Sequence, residues 1–416
     1  MDKFILKSTK SLNGEISIAG AKNAVLPLMT ACIISPGTYT LNNVPLLRDT
    51  LTMAKLLEMV GAKVNIDGNT FIINTENCNT PYAPYDLVKT MRASFYVLGP
   101  FMARFNKAQV SLPGGCAWGP RPVDFHIKAL EKMGAKIELT GGYINSSGSL
   151  KGTDIVFDKS SVGATGNVIM AAVKADGCTR IINAAMEPEI DCLIDFLNMM
   201  GSDIKRENDG SVVINGVNDL KNNVVFDVIP DRIEAGTFMI ATAMCGGDVT
   251  LKNIEPNHLT IVTNKLIESG AEIDLNENQL RIRMTSRPNS IDMSTAIYPG
   301  FPTDLQAQWM ALMTIAKGSC TVTDTIYTDR FTHIAELERL GAKIHLDNNV
   351  AHISGVEKLF GAQVMSTDIR ASASLVIAGL AAESETEISR IYHIDRGYEN
   401  IESKFLKLGG IIKRLK

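Results

Sequence analysis

The chain has 416 residues, of which 45% are hydrophobic and 21% are charged, and its formal net charge at neutral pH is −4. This length exceeds one ordinary hydrophobic core and predicts two or three domains, and the composition is that of a soluble globular protein. The slight negative charge argues against a protein that coats nucleic acid or a membrane surface, because such proteins carry a basic excess or a basic face.

The N-terminal residues and the cysteines predict the compartment. Residues 1–6 lack the apolar run of a signal peptide, and no apolar run along the chain is long enough to span a membrane. The seven cysteines are odd in number and form no Cys-x-x-Cys pair, so they provide no disulfide framework. We therefore expect a cytoplasmic protein that neither inserts into a membrane nor binds nucleic acid.

One pattern recurs along the chain: a Leu or Phe, three further residues, a glycine, and then an alternating strand. The glycines of this pattern are Gly61, Gly134, Gly201, Gly270, Gly341 and Gly409. A helix often ends on a left-handed glycine, and alternation indicates a half-buried strand. The pattern predicts six repeats of about 70 residues, each with a helix, a strand, a second helix and two further strands.

The first helix of each repeat is apolar on nearly all sides, whereas the second carries Lys and Glu on one face. The apolar helices are expected over residues 24–34, 93–103, 164–173, 235–244, 305–316 and 371–381. A helix without a polar face has to be buried, so sheets and outer helices should surround it. This predicts an α/β fold of two inside-out α/β barrel domains, each built from three βαβαββ-type repeats with buried helices.

The division into domains follows from the size of six repeats, which favours three repeats in each domain. The crossover is expected at Pro230-Asp231-Arg232. The first domain is then 22–229, and the second is discontinuous, with residues 1–21 and 230–416. A strand over residues 14–18 precedes the first buried helix, and we expect it to complete the ring of the last repeat.

Charged residues recur in phase with the repeats. At or near the starts of the buried helices the sequence has Lys22, Arg92, Gly163, Arg232, Asp304 and Arg370, and after the next strand it has Arg48, Arg121, Glu189, His258, Arg330 and Arg396. A helix N-terminus carries unpaired N–H groups and a partial positive charge, so Lys and Arg beside it favour phosphates or carboxylates. Two domains that face one another would direct these sites into a shared cleft. The alternative is that the charges cap loops at a solvated rim.

The segment 113–122 contains three glycines and three prolines, which excludes a helix or a central strand and predicts a loop. It holds Cys116, which is followed five positions later by Arg121. A neighbouring cation favours the thiolate, so Cys116 is the best candidate for chemistry among the cysteines. The alternative is a structural turn in which the cysteine is a small buried filler.

No signal for a metal or a cofactor is present. His333, His345 and His352 lack the spacing or the carboxylate neighbours of a metal site, and the chain has neither a phosphate-binding P-loop nor a dinucleotide fingerprint. Gly163, in Ser160-Ser161-Val162-Gly163, lies where backbone N–H groups at a helix start could hold a diphosphate.

Seven segments spread from end to end match the motifs of one family: residues 19–27, 89–94, 112–116, 121–124, 301–308, 367–373 and 395–399. They resemble the UDP-N-acetylglucosamine 1-carboxyvinyltransferases, a branch of the enolpyruvyl transferases. The resemblance implies transfer of the enolpyruvyl group of phosphoenolpyruvate to the sugar 3′-hydroxyl, with release of phosphate, through a tetrahedral intermediate. This reaction is the first committed step of peptidoglycan synthesis. The family fold is two inside-out barrels with the active site between them, and no cofactor is implied.

The resemblance also implies roles for single residues. Lys22, Arg121 and Arg396 would hold phosphoenolpyruvate, with Asn23 contacting substrate beside Lys22. Cys116 would protonate the C3 methylene and could form a covalent adduct, and Asp304 would accept the hydroxyl proton. The UDP-sugar would contact Arg92, Arg121, Pro122, Val123, Asp124, Phe125, Lys159, Ser161, Val162, Gly163 and Ile326. Arg330 and Arg370 join the substrate-binding residues through their positions in the repeat.

Two other functions remain open at this point. A transferase acting on shikimate 3-phosphate would share the fold, but its family has a Ser-Lys-Ser type motif where this chain has Ala21-Lys22-Asn23, and it has no cysteine loop. A catalytically silent, ligand-binding paralogue is disfavoured by the presence of Cys116 and Asp304. Cys116 itself poses a question, because arginines favour its thiolate whereas a general acid needs the thiol. Our hypothesis is that bound phosphoenolpyruvate, an anion, raises the pKa of this thiol.

Overall fold

The structure is a computed structural model that describes residues 2–112 and 123–416. Its strands, in chain order, are β1 (Lys3–Lys7), β2 (Leu12–Ser17), β3 (Thr38–Asn42), β4 (Lys63–Asp67), β5 (Thr70–Asn74), β6 (Tyr82–Ala83), β7 (Lys107–Ser111), β8 (Lys136–Thr140), β9 (Tyr143–Ser147), β10 (Asp154–Val156), β11 (Cys178–Ile182), β12 (Asp203–Arg206), β13 (Val212–Asn215), β14 (Asn223–Asp227), β15 (Gly247–Lys252), β16 (Glu272–Leu275), β17 (Gln279–Met284), β18 (Met293–Ser294), β19 (Ser319–Thr323), β20 (Lys343–Asp347), β21 (Val350–Ser354), β22 (Gln363–Met365), β23 (Thr386–Ser389) and β24 (Ile411–Leu415).

The α-helices are α1 (Lys22–Ala31), α2 (Arg48–Val60), α3 (Tyr85–Val88), α4 (Leu98–Phe105), α5 (Asp124–Lys132), α6 (Val162–Ala172), α7 (Pro188–Met199), α8 (Arg232–Cys245), α9 (Thr260–Glu268), α10 (Gln306–Met313), α11 (Ile334–Arg339), α12 (Ile369–Ala381) and α13 (Ile401–Lys407). Short 3₁₀ turns cover Cys32–Ile34, Arg92–Val97, Pro256–Leu259, Thr303–Leu305 and Ile391–Arg396. Among the described helices, none has both the length and the hydropathy needed to cross a bilayer.

The chain divides into two compact units. The contiguous unit is Gly20–Ile229, and the split unit combines residues 2–19 with Pro230–Lys416. Each unit has its own hydrophobic core, one formed by residues between Ala21 and Val228 and the other by residues between Phe4 and Ile18 and between Ile233 and Ile412.

The described strands form three four-stranded mixed sheets in each unit. Their orders are β14-β3-β5-β4, β6-β7-β9-β8 and β10-β11-β13-β12 in the contiguous unit, and β2-β15-β17-β16, β18-β19-β21-β20 and β22-β23-β1-β24 in the split unit. In each sheet the first two strands are parallel and the other neighbours are antiparallel. The α/β fold with buried helices is confirmed, although across the described strands the sheets stay separate and do not close into one hydrogen-bonded barrel.

The first two strands of the chain differ from expectation. We expected residues 14–18 to complete the last repeat, and this was wrong, because β2 pairs in parallel with β15 of the fourth repeat. The last repeat is completed by β1, where Phe4 lies opposite both Ile388 and Arg414. The last repeat has one hairpin strand, β24, after its outer helix, and β1 supplies the missing partner with Phe4 and Leu6 fully buried.

The buried helices are where the sequence predicts them, and the repeat glycines end the outer helices or their last turn. These glycines, Gly61, Gly134, Gly201, Gly270, Gly341 and Gly409, have φ between 86° and 108°, a region that favours glycine. Within the contiguous unit α4 packs closely on α6, since a Cβ on Gly99 would lie 2.3 Å from the carbonyl oxygen of Asn167. The candidate site residues Arg92 and Gly163 lie at or just before the starts of these two helices.

Candidate functional site

The first set of residues that recur with the repeats lies at or just before the starts of the buried helices, as predicted. Lys22 and Arg232 are the first residues of α1 and α8, Gly163 and Arg370 are the second residues of α6 and α12, and Arg92 and Asp304 lie in the 3₁₀ turns before α4 and α10. Of the residues that recur after the next strand of each repeat, Arg48 and Glu189 lie at the starts of outer helices, and His258 and Arg396 lie in 3₁₀ turns. Arg330 lies between β19 and α11. Cys116, Arg121, Pro122 and the loop predicted for 113–122 lie outside the described residues.

The start of α1 presents a largely buried cation. The Lys22 side chain is 12% exposed, and its Nζ lies 3.9 Å from Oδ2 of the buried Asp49 in α2. The residue before the helix is Ala21, which provides no side-chain cap for the helix N–H groups. Asn23 follows on α1 and is half-buried. An ammonium group and an uncapped helix start together favour an anion.

The start of α6 presents backbone N–H groups. Ser161 caps this helix, with its Oγ accepting from the N–H of Ala164 at 3.3 Å. The N–H groups of Val162 and Gly163 have no acceptor within the helix, because they belong to its first turn. Residues 161–163 are half-buried, and Lys159 just before them is exposed.

The start of α5 lies in the same unit and holds three of the predicted sugar-binding residues, Val123, Asp124 and Phe125, which are half-buried. Oδ1 of Asp124 is buried and has no hydrogen-bond partner among the described residues. The Phe125 ring lies 6.0 Å from that of Phe157, centroid to centroid. A buried carboxylate oxygen of this kind can accept from a ligand N–H or O–H.

His126 is a residue that the sequence interpretation missed. It follows Phe125 on α5 and is 9% exposed, and its Nδ1 lies 3.0 Å from Nδ2 of Asn167 on α6. Burial, together with the positive charge of Arg92, lowers the pKa of His126 to about 3, although Asp124 opposes the shift. The only sequence signal is the helical spacing of His126 with Ala129 and Leu130, which is typical of a core histidine.

Asp304 is the centre of a cluster in the split unit. Its Oδ1 accepts from Arg330 Nη1 and its Oδ2 accepts from Arg370 Nη2, both at 2.9 Å. The side chains of Arg330 and Arg370 are 9% and 3% exposed, against 26% for Asp304. Although burial works against the charged form, the carboxylate of Asp304 raises the pKa of the Arg370 guanidinium above its ordinary value.

Asp324, a buried residue directly after β19, holds the segment around Asp304 in place. Its Oδ2 accepts from the hydroxyl of Thr303 at 2.7 Å. Its Oδ1 accepts from the backbone N–H groups of Ile326 and Tyr327 at 2.9 and 2.8 Å. The predicted sugar contact Ile326 is therefore tied to the turn that carries Asp304. The sequence interpretation also missed Asp324.

A buried hydrogen-bond network lies next to the cluster of Asp304, Arg330 and Arg370. The hydroxyl of Tyr398 lies 2.8 Å from that of Thr237 and accepts from Gln308 Nε2 at 3.1 Å. The Arg370 guanidinium lies 5.4 Å from the centroid of the Tyr398 ring. Nη1 of Arg370 is buried without a hydrogen-bond partner among the described residues. This donor is available to an anion or a water that reaches the cluster.

Arg396 is half-buried at the end of its 3₁₀ turn. The preceding residue, Asp395, accepts two hydrogen bonds from Arg414 of β24, at 2.6 and 3.0 Å. The following residue, Gly397, packs close to Arg370, since an added Cβ would lie 3.7 Å from Nη1. The structure thus brings the segment of Arg396 to the Asp304 cluster.

These arrangements suit anionic substrates and proton transfer. The contiguous unit offers Lys22 and the N–H groups of α6, and the split unit offers a carboxylate between two guanidinium groups. A carboxylate accepts up to about four hydrogen bonds, so the two ion pairs of Asp304 are compatible with a hydroxyl as a further donor. Within residues 2–112 and 123–416, no three His, Cys, Asp or Glu side chains come together as metal ligands would.

Comparison with known proteins gives one consistent result. The family model for EPSP synthase (3-phosphoshikimate 1-carboxyvinyltransferase) matches residues 6–405. The UDP-N-acetylglucosamine 1-carboxyvinyltransferase of Desulfosudis oleivorans is 50% identical over 416 residues, covering 100% of both chains. The protein of that name from Geobacter metallireducens is 50% identical over 417 residues, covering 100% of both chains. The one from Chlorobium luteolum is 49% identical over 420 residues, covering 100% of this chain and 99% of the other.

Solved structures share the fold at lower identity. The enolpyruvyl transferase NikO from Streptomyces tendae has a TM-score of 0.91 at 21% identity, with 99% of this chain and 98% of that chain covered. An EPSP synthase from Acinetobacter baumannii has a TM-score of 0.80 at 20% identity, with both chains fully covered. By its sequence match from residue 6 to residue 405 and its full-length relatives, the chain belongs to the EPSP synthase family of carboxyvinyltransferases, the enolpyruvyl transferases.

Proposed function

We propose that this protein transfers the enolpyruvyl group of phosphoenolpyruvate to the 3′-hydroxyl of UDP-N-acetylglucosamine and releases phosphate. The observation that carries the proposal is the 50% identity, over the whole length of both chains, to a relative that bears the name of this activity. The reaction is the first committed step of peptidoglycan synthesis, and we propose that it takes place in the cytoplasm.

The two compact units are proposed to be the two domains, 22–229 and the discontinuous pair 1–21 and 230–416. The separate hydrophobic cores support this division. Residues of both domains are then needed for one reaction: Lys22, Asn23, Arg92 and the start of α6 from the first, and Asp304, Arg330, Arg370 and Arg396 from the second.

Phosphoenolpyruvate carries a carboxylate and a phosphate, and its binding needs fixed cations. Lys22, Arg121 and Arg396 are proposed to hold it, with Arg330 and Arg370 adding positive charge beside Asp304. The low exposure of Lys22 supports this role, because a buried cation interacts more strongly with a bound anion than an exposed one. Asn23, one residue after Lys22, is proposed to contact substrate.

In the addition step, C3 of phosphoenolpyruvate gains a proton and the 3′-hydroxyl of the sugar loses one. The Cys116 thiol is proposed to give its proton to C3 of phosphoenolpyruvate, which builds positive character at C2. The sugar 3′-oxygen then attacks C2, and Asp304 accepts the hydroxyl proton. The tetrahedral intermediate then loses phosphate from C2, and the Cys116 thiolate left by the first step is proposed to take a proton from C3, which re-forms the double bond in the product.

Asp304 fits the role of base because the structure holds its orientation. Arg330 and Arg370 each donate to one of its oxygens, and Thr303 and Asp324 fix the turn that carries it. Holding the carboxylate against the hydroxyl lowers the entropic cost of the proton transfer.

The UDP-sugar is proposed to contact residues that belong mainly to the first domain. Arg92, Arg121, Lys159 and the N–H groups of residues 161–163 would meet the diphosphate, since helix starts and cations bind phosphate. Pro122, Val123, Asp124 and Phe125 would contact the nucleoside, and Ile326 the sugar. The buried, unpartnered Oδ1 of Asp124 supports a ligand donor at this place.

Shikimate 3-phosphate is the second candidate acceptor, because the matching family model is that of EPSP synthase. A phosphate-release assay separates the candidates. The purified chain is incubated with phosphoenolpyruvate and either UDP-N-acetylglucosamine or shikimate 3-phosphate. We expect release with the UDP-sugar alone. Release with shikimate 3-phosphate alone would overturn the proposed acceptor, and release with neither would identify a binding protein without this activity.

A further inference from the structure

The guanidinium of Arg414 joins two carboxylates of the split unit. Arg414 lies on β24, and its Nη1 and Nη2 donate to Oδ2 and Oδ1 of Asp395 at 3.0 and 2.6 Å. Its Nε donates to Oε1 of Glu402 at 2.7 Å. The planar fork of a guanidinium matches a carboxylate with two parallel hydrogen bonds, which a lysine cannot reproduce. The pair with Asp395 is therefore fixed in direction as well as favoured by charge.

The Arg414 side chain is itself held in place. Its Cζ lies 5.0 Å from the centroid of the Phe4 ring on β1. Phe4 is fully buried and lies opposite Arg414 in the antiparallel pairing of β1 with β24. The Arg414 side chain is 24% exposed, and Oδ2 of Asp2 lies 3.6 Å from its Nη1. Contact with an aromatic ring and low exposure restrict the positions that this arginine can adopt.

The two carboxylates flank the segment that carries Arg396. Asp395 directly precedes Arg396 at the end of the 3₁₀ turn Ile391–Arg396, and Glu402 is the second residue of α13. The hydrogen bonds within a short 3₁₀ turn have poorer geometry than those of an α-helix, so the position of such a turn depends on its side-chain contacts. Arg414 thus holds residues 395–402 at both ends, and Arg396 lies next to one of these ends.

The same segment packs closely against buried helices. A Cβ built on Gly397 would lie 2.4 Å from Cγ2 of Ile369, the first residue of α12. The hydroxyl of Tyr398 lies 2.8 Å from that of Thr237 on α8. Close packing limits movement of the segment toward α12, and the hydrogen bonds of Arg414 limit movement of its ends. The direction of the Arg396 side chain therefore depends on both sets of contacts.

We propose that Arg414 is a positioning residue for Arg396, because its hydrogen bonds to Asp395 and Glu402 hold the segment that directs the Arg396 guanidinium toward the anionic groups of phosphoenolpyruvate. Arg414 touches no substrate and acts through Arg396. The role of Arg396 rests on the proposed function, whereas the hold on residues 395–402 rests on the contacts of Arg414.

Conservative substitutions in the full-length chain test the proposal. Arg414→Lys keeps the charge but cannot bond to both oxygens of Asp395 and to Glu402 at once. Asp395→Asn turns one of the two acceptors into a donor, and it replaces Arg414→Lys if that variant does not fold. The matched control is Arg281→Lys, because Arg281 on β17 donates to both oxygens of Asp248 on β15, at 2.8 and 2.6 Å. Thermal unfolding reports folding.

We expect Arg414→Lys to lower kcat/KM for phosphoenolpyruvate by about tenfold, since a small misplacement of a positioning group slows a reaction by such a factor or more. The dissociation constant of the UDP-sugar, measured by titration calorimetry, should change by less than about twofold. Arg281→Lys should leave both quantities unchanged. An unchanged kcat/KM in Arg414→Lys would overturn the proposal, and so would an equal loss of UDP-sugar affinity, which a general loss of structure would cause.

A second background separates action through Arg396 from other effects on the split unit. Arg396→Lys alone should lower kcat/KM for phosphoenolpyruvate. Adding Arg414→Lys to this variant should lower it by less than about twofold more, because substitutions that act on the same interaction are not additive. A further loss as large as that in the Arg396 background of the unsubstituted protein would show that Arg414 does not act through Arg396 and would overturn the proposal.

Hydrogen exchange tests the hold on residues 395–402 without any activity. The backbone amides of this segment, followed by mass spectrometry, should exchange about tenfold faster in Arg414→Lys than in Arg281→Lys. Equal exchange in the two variants would overturn the proposal, even with transferase activity present. Faster exchange in Arg414→Lys, together with no phosphate release by the unsubstituted protein, would instead overturn the proposed function.

Discussion

The buried helices begin differently in the two units. In the contiguous unit the residues before α1 and α6 are Ala21 and Ser161, neither of which is charged. In the split unit Asp231 caps α8, with its Oδ1 2.8 and 3.1 Å from the N–H groups of Ile233 and Glu234. Asp368 caps α12 in the same way, and Asp304 lies in the turn before α10. The repeat is the same, but α8 and α12 of the split unit have carboxylate caps, whereas α1 and α6 of the contiguous unit do not.

This difference separates two ways of binding anions. A carboxylate cap takes up the N–H groups and offsets the positive end of the helix, so the capped helix start no longer attracts an anion. Positive charge in the split unit therefore has to come from side chains, and Arg330 and Arg370 provide it around Asp304. In the contiguous unit the helix ends themselves remain available for phosphate groups. Four predictions test this comparison.

The largest effect is expected at Asp304. Asp304→Asn keeps the shape of the side chain but removes the base and its charge, so kcat should fall by about 100- to 10,000-fold. Steady-state phosphate release measures the change. Asp292→Asn, an exposed residue of the split unit whose carboxylate accepts from Thr321, is the matched control and should leave kcat unchanged. A kcat within threefold of the unsubstituted protein in Asp304→Asn would exclude Asp304 as the base.

The next effect concerns the cation at the start of α1. Lys22→Met removes the charge while keeping most of the length, and kcat/KM for phosphoenolpyruvate should fall by about 100-fold, since a charge-assisted contact to the anion is lost. Exposed Lys128 of the same unit, replaced by Met, serves as the control. An equal loss in both variants would show that general electrostatics, and not the helix start, attracts the substrate.

Each unit also contains a buried histidine that resists protonation. Burial, aided by Arg92 in one case and Arg330 in the other, lowers the pKa of His126 and of His333 to about 3. A lowered folded-state pKa contributes stability that is present above the unfolded value of about 6.5 and is lost as the pH falls toward 3. The free energy of unfolding should drop by about 2 kcal/mol per histidine between pH 6.5 and 5.

Urea unfolding at a series of pH values measures this drop. His333→Gln, which cannot titrate, should remove the contribution of the split unit and leave that of the contiguous unit. If the pH dependence of unfolding in His333→Gln matched that of the unsubstituted protein, His333 would not be held neutral by the fold.

The smallest effect tests the caps directly. Ser161→Asp gives α6 the kind of cap that α8 and α12 have, and Asp caps a helix about as well as Ser, so stability should not change. The added negative charge should raise KM for the UDP-sugar by about tenfold, through repulsion of the diphosphate. Ser161→Thr is the neutral control. An unchanged KM in Ser161→Asp would mean that the start of α6 does not bind the diphosphate.

Much of the fold could be predicted because its signals are local. Each repeat glycine marks the end of an outer helix with its left-handed φ, and an all-apolar helix has to be buried wherever the chain places it. The same repeat spacing predicts the residues at or near the starts of the buried helices, which are Lys22, Arg92, Gly163, Arg232, Asp304 and Arg370. A pattern of this kind can be recognised from residues that are close to one another in the sequence.

The placement of β1 and β2 could not be predicted in this way. Both strands are short and alternate, and their partners lie hundreds of residues away, at β23 and β24 for one and at β15 for the other. Asp324 and His126 were missed for a related reason. Their importance comes from hydrogen bonds to Thr303 and to Asn167, which no local pattern reports.

The sequence by itself determined the six repeats, the burial of one helix in each, and the residue types at the helix starts, because these depend on spacing and polarity within about 70 residues. The tertiary structure alone decided which charges are paired. Asp304 lies between two arginines, and His126 lies 3.0 Å from the amide of Asn167, because segments distant in the chain pack against one another.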